Sequence, residues 1–329
     1  MKKYFILFRA QTAPATVFSI LIPFLLSNSE YNLILIVLIF IIGTLLHFAS
    51  FGHNSVMDYW YDIHDPNKQH HPLEKGEINL HEAHKLIHTL NIIVTILLVF
   101  LTLYSKSPIF ALISLLFYAI FGHAYNDGLD KNTSLSFLPI SLCFTSLTAY
   151  GWFLGSNSIN TFFILLLIWA FLTIFYQIAW EGNLKDLYNP SELQFNMVRK
   201  LMKKVKLKNI SIFMTTIRGL INTLILVLLS LQLGINVFFI IMFLLLTFIE
   251  VRSIINIHKI VINEDFSHFA RNELLENFGK AEAFEFFRIS TLLLLTQYWY
   301  MFIVIVVYGL VWFITMNKLL FGSRFGPRV

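Results

Sequence analysis

The stretch Asn54-Ser-Val-Met-Asp58-Tyr-Trp-Tyr-Asp62 follows directly on an apolar run from Leu33 to Phe51. An i, i+4, i+8 spacing drifts by only about 40° per step on a helix, so Asn54, Asp58 and Asp62 share one face. One amide and two carboxylates therefore point the same way. Two acids a turn apart repel each other, and near the centre of a bilayer helix each costs roughly 2.5–3.5 kcal/mol, so the pattern demands a compensating partner. A hard divalent cation supplies one. Mg²⁺ takes oxygen ligands, commonly one or two carboxylates with phosphate oxygens completing the shell. The plainer alternative is a helix end whose acids face water; ionisable groups turned toward a membrane interior favour the functional reading.

Working outward, composition places that stretch in a membrane protein. Hydrophobic residues make up 57% of the chain and charged residues 13%, with 34 phenylalanines and a mean hydropathy of +0.70. Soluble domains carry about 25% charge, so the expected fold class is all-α and polytopic. Apolar runs recur from end to end without a Gly, Ser or Pro-rich linker, which predicts a single membrane-embedded domain over residues 1–329. The lone cysteine, Cys143, excludes an internal disulfide.

Nine apolar runs begin near Ala13, Leu33, His88, Ile109, Leu135, Thr161, Ile210, Ile235 and Leu292, the last extending to Thr315. They predict about nine transmembrane helices, with polar loops at approximately 62–87, 181–209 and 250–289. The charge-rich residues 252–289 read as an amphipathic cytoplasmic cap, and Arg218, inside a run, as either a cation snorkelling to the interface or a site residue. An odd number of spans puts the two termini on opposite sides. Nineteen Lys and Arg then fall on the N-terminal side against four on the other. That asymmetry places the N-terminus and the polar loops in the cytoplasm of a multi-pass cell-membrane protein. The basic run Arg199–Lys208 lacks interleaved aromatics, so it reads as lipid-facing and no nucleic acid is expected. No feature calls for an obligate protein partner.

A second polar stretch, Trp180-Glu-Gly-Asn183-Leu-Lys-Asp186-Leu-Tyr-Asn189, closes the sixth run. Asn183 and Asp186 are i, i+3 neighbours, and their run lies four after the second and ends at the same face. The repeat suggests two four-helix halves plus one helix around a central cavity.

Together these residues resemble a family. Asn54-x3-Asp58-x3-Asp62, followed by His71-Pro72-Leu73-x2-Gly76, is similar to the signature of the UbiA superfamily of intramembrane prenyltransferases. Phe8-Arg9-Ala-Gln-Thr12-Ala-Pro14 resembles that family's approach to its first span, and Gly182-Asn183-Leu-Lys-Asp186 the start of its second acidic motif. The chain departs from the pattern at Pro190, where a further acid is expected, at His71 in place of arginine, and at Ser55 in place of aspartate.

The resemblance implies Mg²⁺-dependent transfer of an isoprenyl chain from a polyprenyl diphosphate, through an allylic cation, to a hydrophobic acceptor within the membrane lipid. It implies catalytic roles for Asp58, Asp62 and Asp186, and Mg²⁺ held by these with Asn54 and Asn183. Arg9, Asn54, Lys68, His71, Lys75, Tyr125, Asn126 and Lys131 are the implied substrate contacts. The expected acceptor is aromatic, of quinone-precursor type; glyceryl ether lipid and haem are the alternatives. A reading from another class, a transporter or lipid-binding protein coupling cations through the same acids, also fits charges inside a repeated bundle.

Overall fold

The structure, a computed structural model, describes residues 1–27, 32–63, 71–126, 133, 135–187, 196–263 and 268–322. Among them every regular element is helical: α1 (Lys2–Leu7), α2 (Ala13–Leu26), α3 (Leu33–Met57), α4 (Tyr59–Asp62), α5 (Leu80–Leu103), α6 (Pro108–Ala124), α7 (Phe137–Gly155) and α8 (Thr161–Lys185). After these come α9 (Met197–Met202), α10 (Leu207–Leu233), α11 (Val237–Ile262), α12 (His268–Ser290) and α13 (Trp299–Phe321). Seven of these helices, α3, α5, α7, α8, α10, α11 and α13, are long and apolar enough to cross a membrane. The first and fourth expected spans form shorter apolar helices. The protein is an integral, multi-pass membrane protein.

Local sequence sets the starts. Asparagine side chains cap α3, α5, α8, α9 and α11: Asn32 accepts from Leu35 N at 3.1 Å, Asn79 from His81 N at 2.8 Å, Asn160 from Phe163 N at 2.9 Å, Asn196 from Arg199 N at 3.0 Å, and Asn236 from Phe239 N at 2.8 Å. Each removes an orphan donor that apolar surroundings would leave unmatched. α6 begins instead on Pro108, whose missing N–H is no loss there.

The long helices pack in a ring that follows chain order, from α2 through α3, α5, α6, α7, α8, α10, α11 and α12 to α13, which returns to α2. α2 also crosses α7 and is buried almost all round. At that crossing a Cβ on Gly151 would lie 2.2 Å from the Ile20 carbonyl oxygen, so only glycine permits the approach.

The largest departure from expectation concerns 250–289. These residues form no separate cap. Residues 237–262 make α11, and α12 with the 3₁₀ turn Thr291–Leu295 runs antiparallel along its whole length. Asn236 Nδ2 donates to Leu294 O at 3.1 Å at one end, and Asn256 meets Asn277 at 3.3 Å toward the other. The expected ninth run, Leu292 to Thr315, is thus two pieces: Thr291–Leu295 completes the α12 pass, and a turn at 296–298 starts α13. In that turn Tyr298 N donates to Thr296 Oγ1 at 3.0 Å.

The physical reason is charge pairing. Arg218, Glu250, Glu285 and Arg288 all have 0% exposure. Arg218 Nε donates to Glu250 Oε1 at 2.8 Å; Arg288 Nε lies 3.0 Å from both Glu250 Oε2 and Glu285 Oε2. Trp169 Nε1 also donates to Glu285, and Arg288 Nη1 donates to Thr223 Oγ1 at 2.6 Å. Two cations and two carboxylates cancel inside the bundle, so a segment too charged to read as a span runs through its interior. Arg218 does not snorkel.

The extra pass returns the chain to its starting end. Trp312 Nε1 donates to Ala10 O at 2.7 Å, and Met316 and Leu320 pack on Ala10. The first and last described residues therefore lie at one end of the bundle, contrary to the expectation of opposite sides. A fluorescent-protein fusion after Val329 is expected to report the same side of the membrane as one before Met1; opposite sides would refute this topology. Arg288→Met leaves two buried carboxylates sharing one cation and is expected to lower stability by about 3–5 kcal/mol, read by denaturant unfolding in detergent.

Candidate active site

The polar segments gather at that same end. α3 continues into α4 through Asp58, whose N–H donates to Asn54 O at 2.9 Å while its own carbonyl accepts from Asp62 N at 2.9 Å. The helical register is therefore unbroken across Asn54, Asp58 and Asp62. Their exposures are 9%, 7% and 6%, which overturns the water-facing alternative. Asn54 Nδ2 donates to Asn126 Oδ1 at 3.3 Å, joining the first motif to the end of α6.

Asn54, Tyr125, Asn126 and Arg9 all line a cavity of about 1320 Å³ enclosed by the ring. Its deep arm lies between α5, α6 and α7 and is apolar, with Val94, Leu98, Leu112, Leu116 and Leu147 on the wall. Arg9 is set by strain: it is the one described non-glycine residue with a positive φ, 47°. Its carbonyl accepts from Thr12 Oγ1 at 2.9 Å and lies 3.1 Å from His47 Nε2, and its guanidinium sits 5.8 Å from the Phe51 ring. Buried His47 also meets Thr16 Oγ1 at 2.8 Å, so α2 and α3 together hold the strained turn.

The second motif is placed differently. α8 ends in a π-helical turn, Gln177–Gly182, of a kind frequent at functional sites. Asn183 Nδ2 donates to Ile178 O at 2.8 Å, and its Oδ1 accepts from Met197 N at 2.7 Å. Both ends of this amide are hydrogen-bonded to backbone, so Asn183 ties α8 to α9. Lys185 Nζ lies 3.9 Å from Asp186 Oδ2. Asp58, Asp62 and Asp186 each have an interaction partner.

Two expected substrate contacts are turned elsewhere. His71 Nδ1 is paired with Glu74 Oε2 at 2.6 Å within its own loop, and Lys75 is half exposed with Glu77 at 3.9 Å. Neither lines the cavity. Lys68 and Lys131 lie outside the described residues, as do Asn189, Pro190 and Glu192.

The donor set can be tested against Mg²⁺. Among the described residues no three His, Cys, Asp or Glu side chains come together as a ready-made cage, Asp58, Asp62 and Asp186 included. A buried pair of carboxylates one turn apart still suits Mg²⁺, which usually takes one or two protein carboxylates and completes its octahedron with phosphate oxygens. The set fits a hard cation that arrives with a phosphate, rather than one caged by protein alone.

Comparison with known proteins fits this geometry. The model of the UbiA prenyltransferase family matches residues 15–272. The chain belongs to that family. As a UbiA family member it is a prenyltransferase with a membrane-embedded helical fold. Among curated proteins, none matches the chain. Solved structures share the fold at low identity. A UbiA homolog from Aeropyrum pernix K1 aligns with a TM-score of 0.61 at 15% identity, covering 90% of this chain and 97% of the other. A UbiA homolog from Archaeoglobus fulgidus bound to DMAPP and Mg²⁺ gives 0.59 at 14%, covering 88% and 99%. A digeranylgeranylglyceryl phosphate synthase gives 0.58 at 20%, covering 88% and 98%.

Several cavity residues escaped the sequence reading. Glu181 stands inside the second stretch but ahead of the motif, Glu282 lay in the supposed cap, Gln11 stands in the approach to the first span without an assigned role, and Asn317 carries no pattern. Only Glu181, an acid at the end of an apolar helix, gave a usable signal. Asn183→Ala removes two hydrogen bonds to backbone and is expected to lower stability by roughly 1–3 kcal/mol and to speed proteolysis between α8 and α9. Unchanged cleavage kinetics would contradict the tethering role.

Proposed function

We infer that this prenyltransferase transfers an isoprenyl chain from a polyprenyl diphosphate to a lipid-soluble acceptor, aromatic and of quinone-precursor type. The observation that carries the reading is the buried ladder of Asn54, Asp58 and Asp62, whose first rung opens on a large cavity with an apolar deep arm. The homolog from Archaeoglobus fulgidus was solved with Mg²⁺ and with DMAPP or GPP, a donor chemistry that suits these groups.

Asp58 and Asp62, with Asp186 from the second helix end, would hold Mg²⁺ against the diphosphate. Bound Mg²⁺ supplies charge neutralisation on the leaving group. The chain's own residues do the rest. Asn54 and Asn126 orient polar oxygens at the cavity mouth, and Arg9 brings a cation to the same wall. The apolar arm takes the isoprenyl tail, and its dryness protects the allylic cation from capture by water. Aromatic faces such as Tyr118, Phe144 and Phe286 line the cavity, and each stabilises passing positive charge by about 0.5–2 kcal/mol. The carbon–oxygen bond to diphosphate breaks first, the acceptor's nucleophilic carbon or oxygen then captures the allylic cation, and the acceptor gives up a proton.

The whole chain acts here as one membrane-embedded unit. Lys and Arg collect at the end of the bundle that carries the motifs, and with the first and last described residues there Lys318 joins Lys2 and Lys3 on that side. We place that end in the cytoplasm of the cell membrane.

Asp58→Ala is expected to reduce diphosphate release from geranylgeranyl diphosphate and Mg²⁺ by at least 100-fold, about 2.7 kcal/mol of barrier, while the protein elutes as folded wild type. Retained release would sink the reading.

A further inference from the structure

The backbone turn that carries Arg9 to the cavity wall is held from outside. Its φ of 47° and ψ of 44° lie in the left-handed region, which a residue with a Cβ adopts only when its surroundings impose it. The residues on either side are anchored by other elements: Phe8 stacks on Phe48 with ring centroids 5.2 Å apart, and Trp312 Nε1 donates to Ala10 O at 2.7 Å. Arg9 itself is fixed at its carbonyl. Thr12 N donates to that oxygen at 3.0 Å, Thr12 Oγ1 at 2.9 Å, and His47 Nε2 lies 3.1 Å away.

Of these partners only His47 comes from another helix, α3. It has 0% exposure and does not line the cavity. A carbonyl only accepts, so Nε2 carries the hydrogen; in the neutral ring Nδ1 keeps its lone pair and accepts from Thr16 Oγ1 at 2.8 Å. Both ring nitrogens are thereby committed, one to α2 and one to the turn before it. The face of the ring is committed too. Phe51, one turn further along α3, stacks on it with centroids 4.1 Å apart, and the same phenyl ring receives the Arg9 guanidinium at 5.8 Å. His47 therefore governs both ends of Arg9, the carbonyl directly and the guanidinium through Phe51. Among the described residues no carboxylate pairs with that guanidinium, and Arg9 lines the cavity as Asn54 does.

We propose that His47 is a positioning residue: from behind the cavity wall it aims the Arg9 guanidinium at an oxyanion of the substrate. The prenyl-transfer reading makes that oxyanion the diphosphate of the donor, and the proposal rests on that reading for the ligand's name alone. A guanidinium binds phosphate and carboxylate oxygens with the same fork of N–H donors, so an acceptor carboxylate is the other source of the same chemistry. The fork gives strong bonds only when it is held in one direction before the ligand arrives. Without the imidazole, Arg9 relaxes out of the left-handed region and its side chain leaves Phe51; the charge stays and its direction is lost.

The test uses the full chain in nanodiscs and two oxyanion probes, inorganic diphosphate with Mg²⁺ and 4-hydroxybenzoate. Equilibrium binding is measured on wild type, Arg9→Gln, His47→Leu, His47→Gln and the double variant of Arg9→Gln with His47→Leu. Diphosphate release from geranylgeranyl diphosphate is followed alongside. Arg9→Gln is expected to weaken the diphosphate probe at least tenfold, and His47→Leu to weaken the same probe about fivefold. His47→Gln should recover most of that loss, since its amide can donate to Arg9 O and accept from Thr16. The double variant should bind no more weakly than Arg9→Gln alone, as for a residue that acts only through another. If His47→Leu fails to fold, Thr16→Val, which frees Nδ1 alone, takes its place: weaker binding by itself and no effect behind Arg9→Gln. No binding of either probe by wild type, no loss with Arg9→Gln or with His47→Leu, losses that add in the double variant, or no recovery with His47→Gln would overturn the proposal. The same pattern confined to 4-hydroxybenzoate would keep it and assign the oxyanion to the acceptor. His47-dependent binding in a wild type that releases no diphosphate would keep the positioning role and discard prenyl transfer instead.

Discussion

Inside an apolar bundle every polar group must find a partner, and that constraint organises this protein. Water is absent there, so an unmatched carboxylate or guanidinium is far more expensive than a misplaced methyl group. The chain meets the demand in two ways. In the half built from α8, α10, α11 and α12, Arg218, Glu250, Glu285 and Arg288 neutralise one another with no exposure at all. Around the cavity, Asn54 and Asn126 pair with each other, as do Glu181 and Glu282.

The two solutions depend on each other. The ion network holds α12 along α11, and α12 in turn carries Glu282 and Phe286 to the cavity wall. It also forces the turn at 296–298, from which α13 returns to pack on Ala10 beside the strained Arg9. A stabilising device in one half thereby closes the ring around the site in the other. The π-turns Gln177–Gly182 and Ile217–Ile221 serve the same end, because each shifts the register of a long helix where a polar side chain must face inward: Glu181 in one case, Arg218 in the other.

The division of labour among the motif residues follows from the same rule. Asn54 lies on a helix whose backbone hydrogen bonds are already satisfied along its length, so its side chain is spent on another side chain, Asn126, at the cavity wall. Asn183 sits where α8 stops and the backbone runs out of partners, so its amide is consumed in repairing that end. His71 meets Glu74 before it meets anything in the cavity. Similar residue types in similar motifs thus take different work, according to what the backbone around them lacks.

Periodicity and composition alone determined the all-helical membrane class and the shared face of Asn54, Asp58 and Asp62, because those depend on neighbours within two turns. The motif spacing likewise identified the family. Three things needed the tertiary structure: that α12 runs through the bundle, that Asn183 is a tether, and that Glu181 meets Glu282 at the cavity wall. Each is a matter of long-range pairing. A charge reads as surface in a hydropathy window until the opposite charge, tens of residues away, is placed against it, and only folding brings the two together.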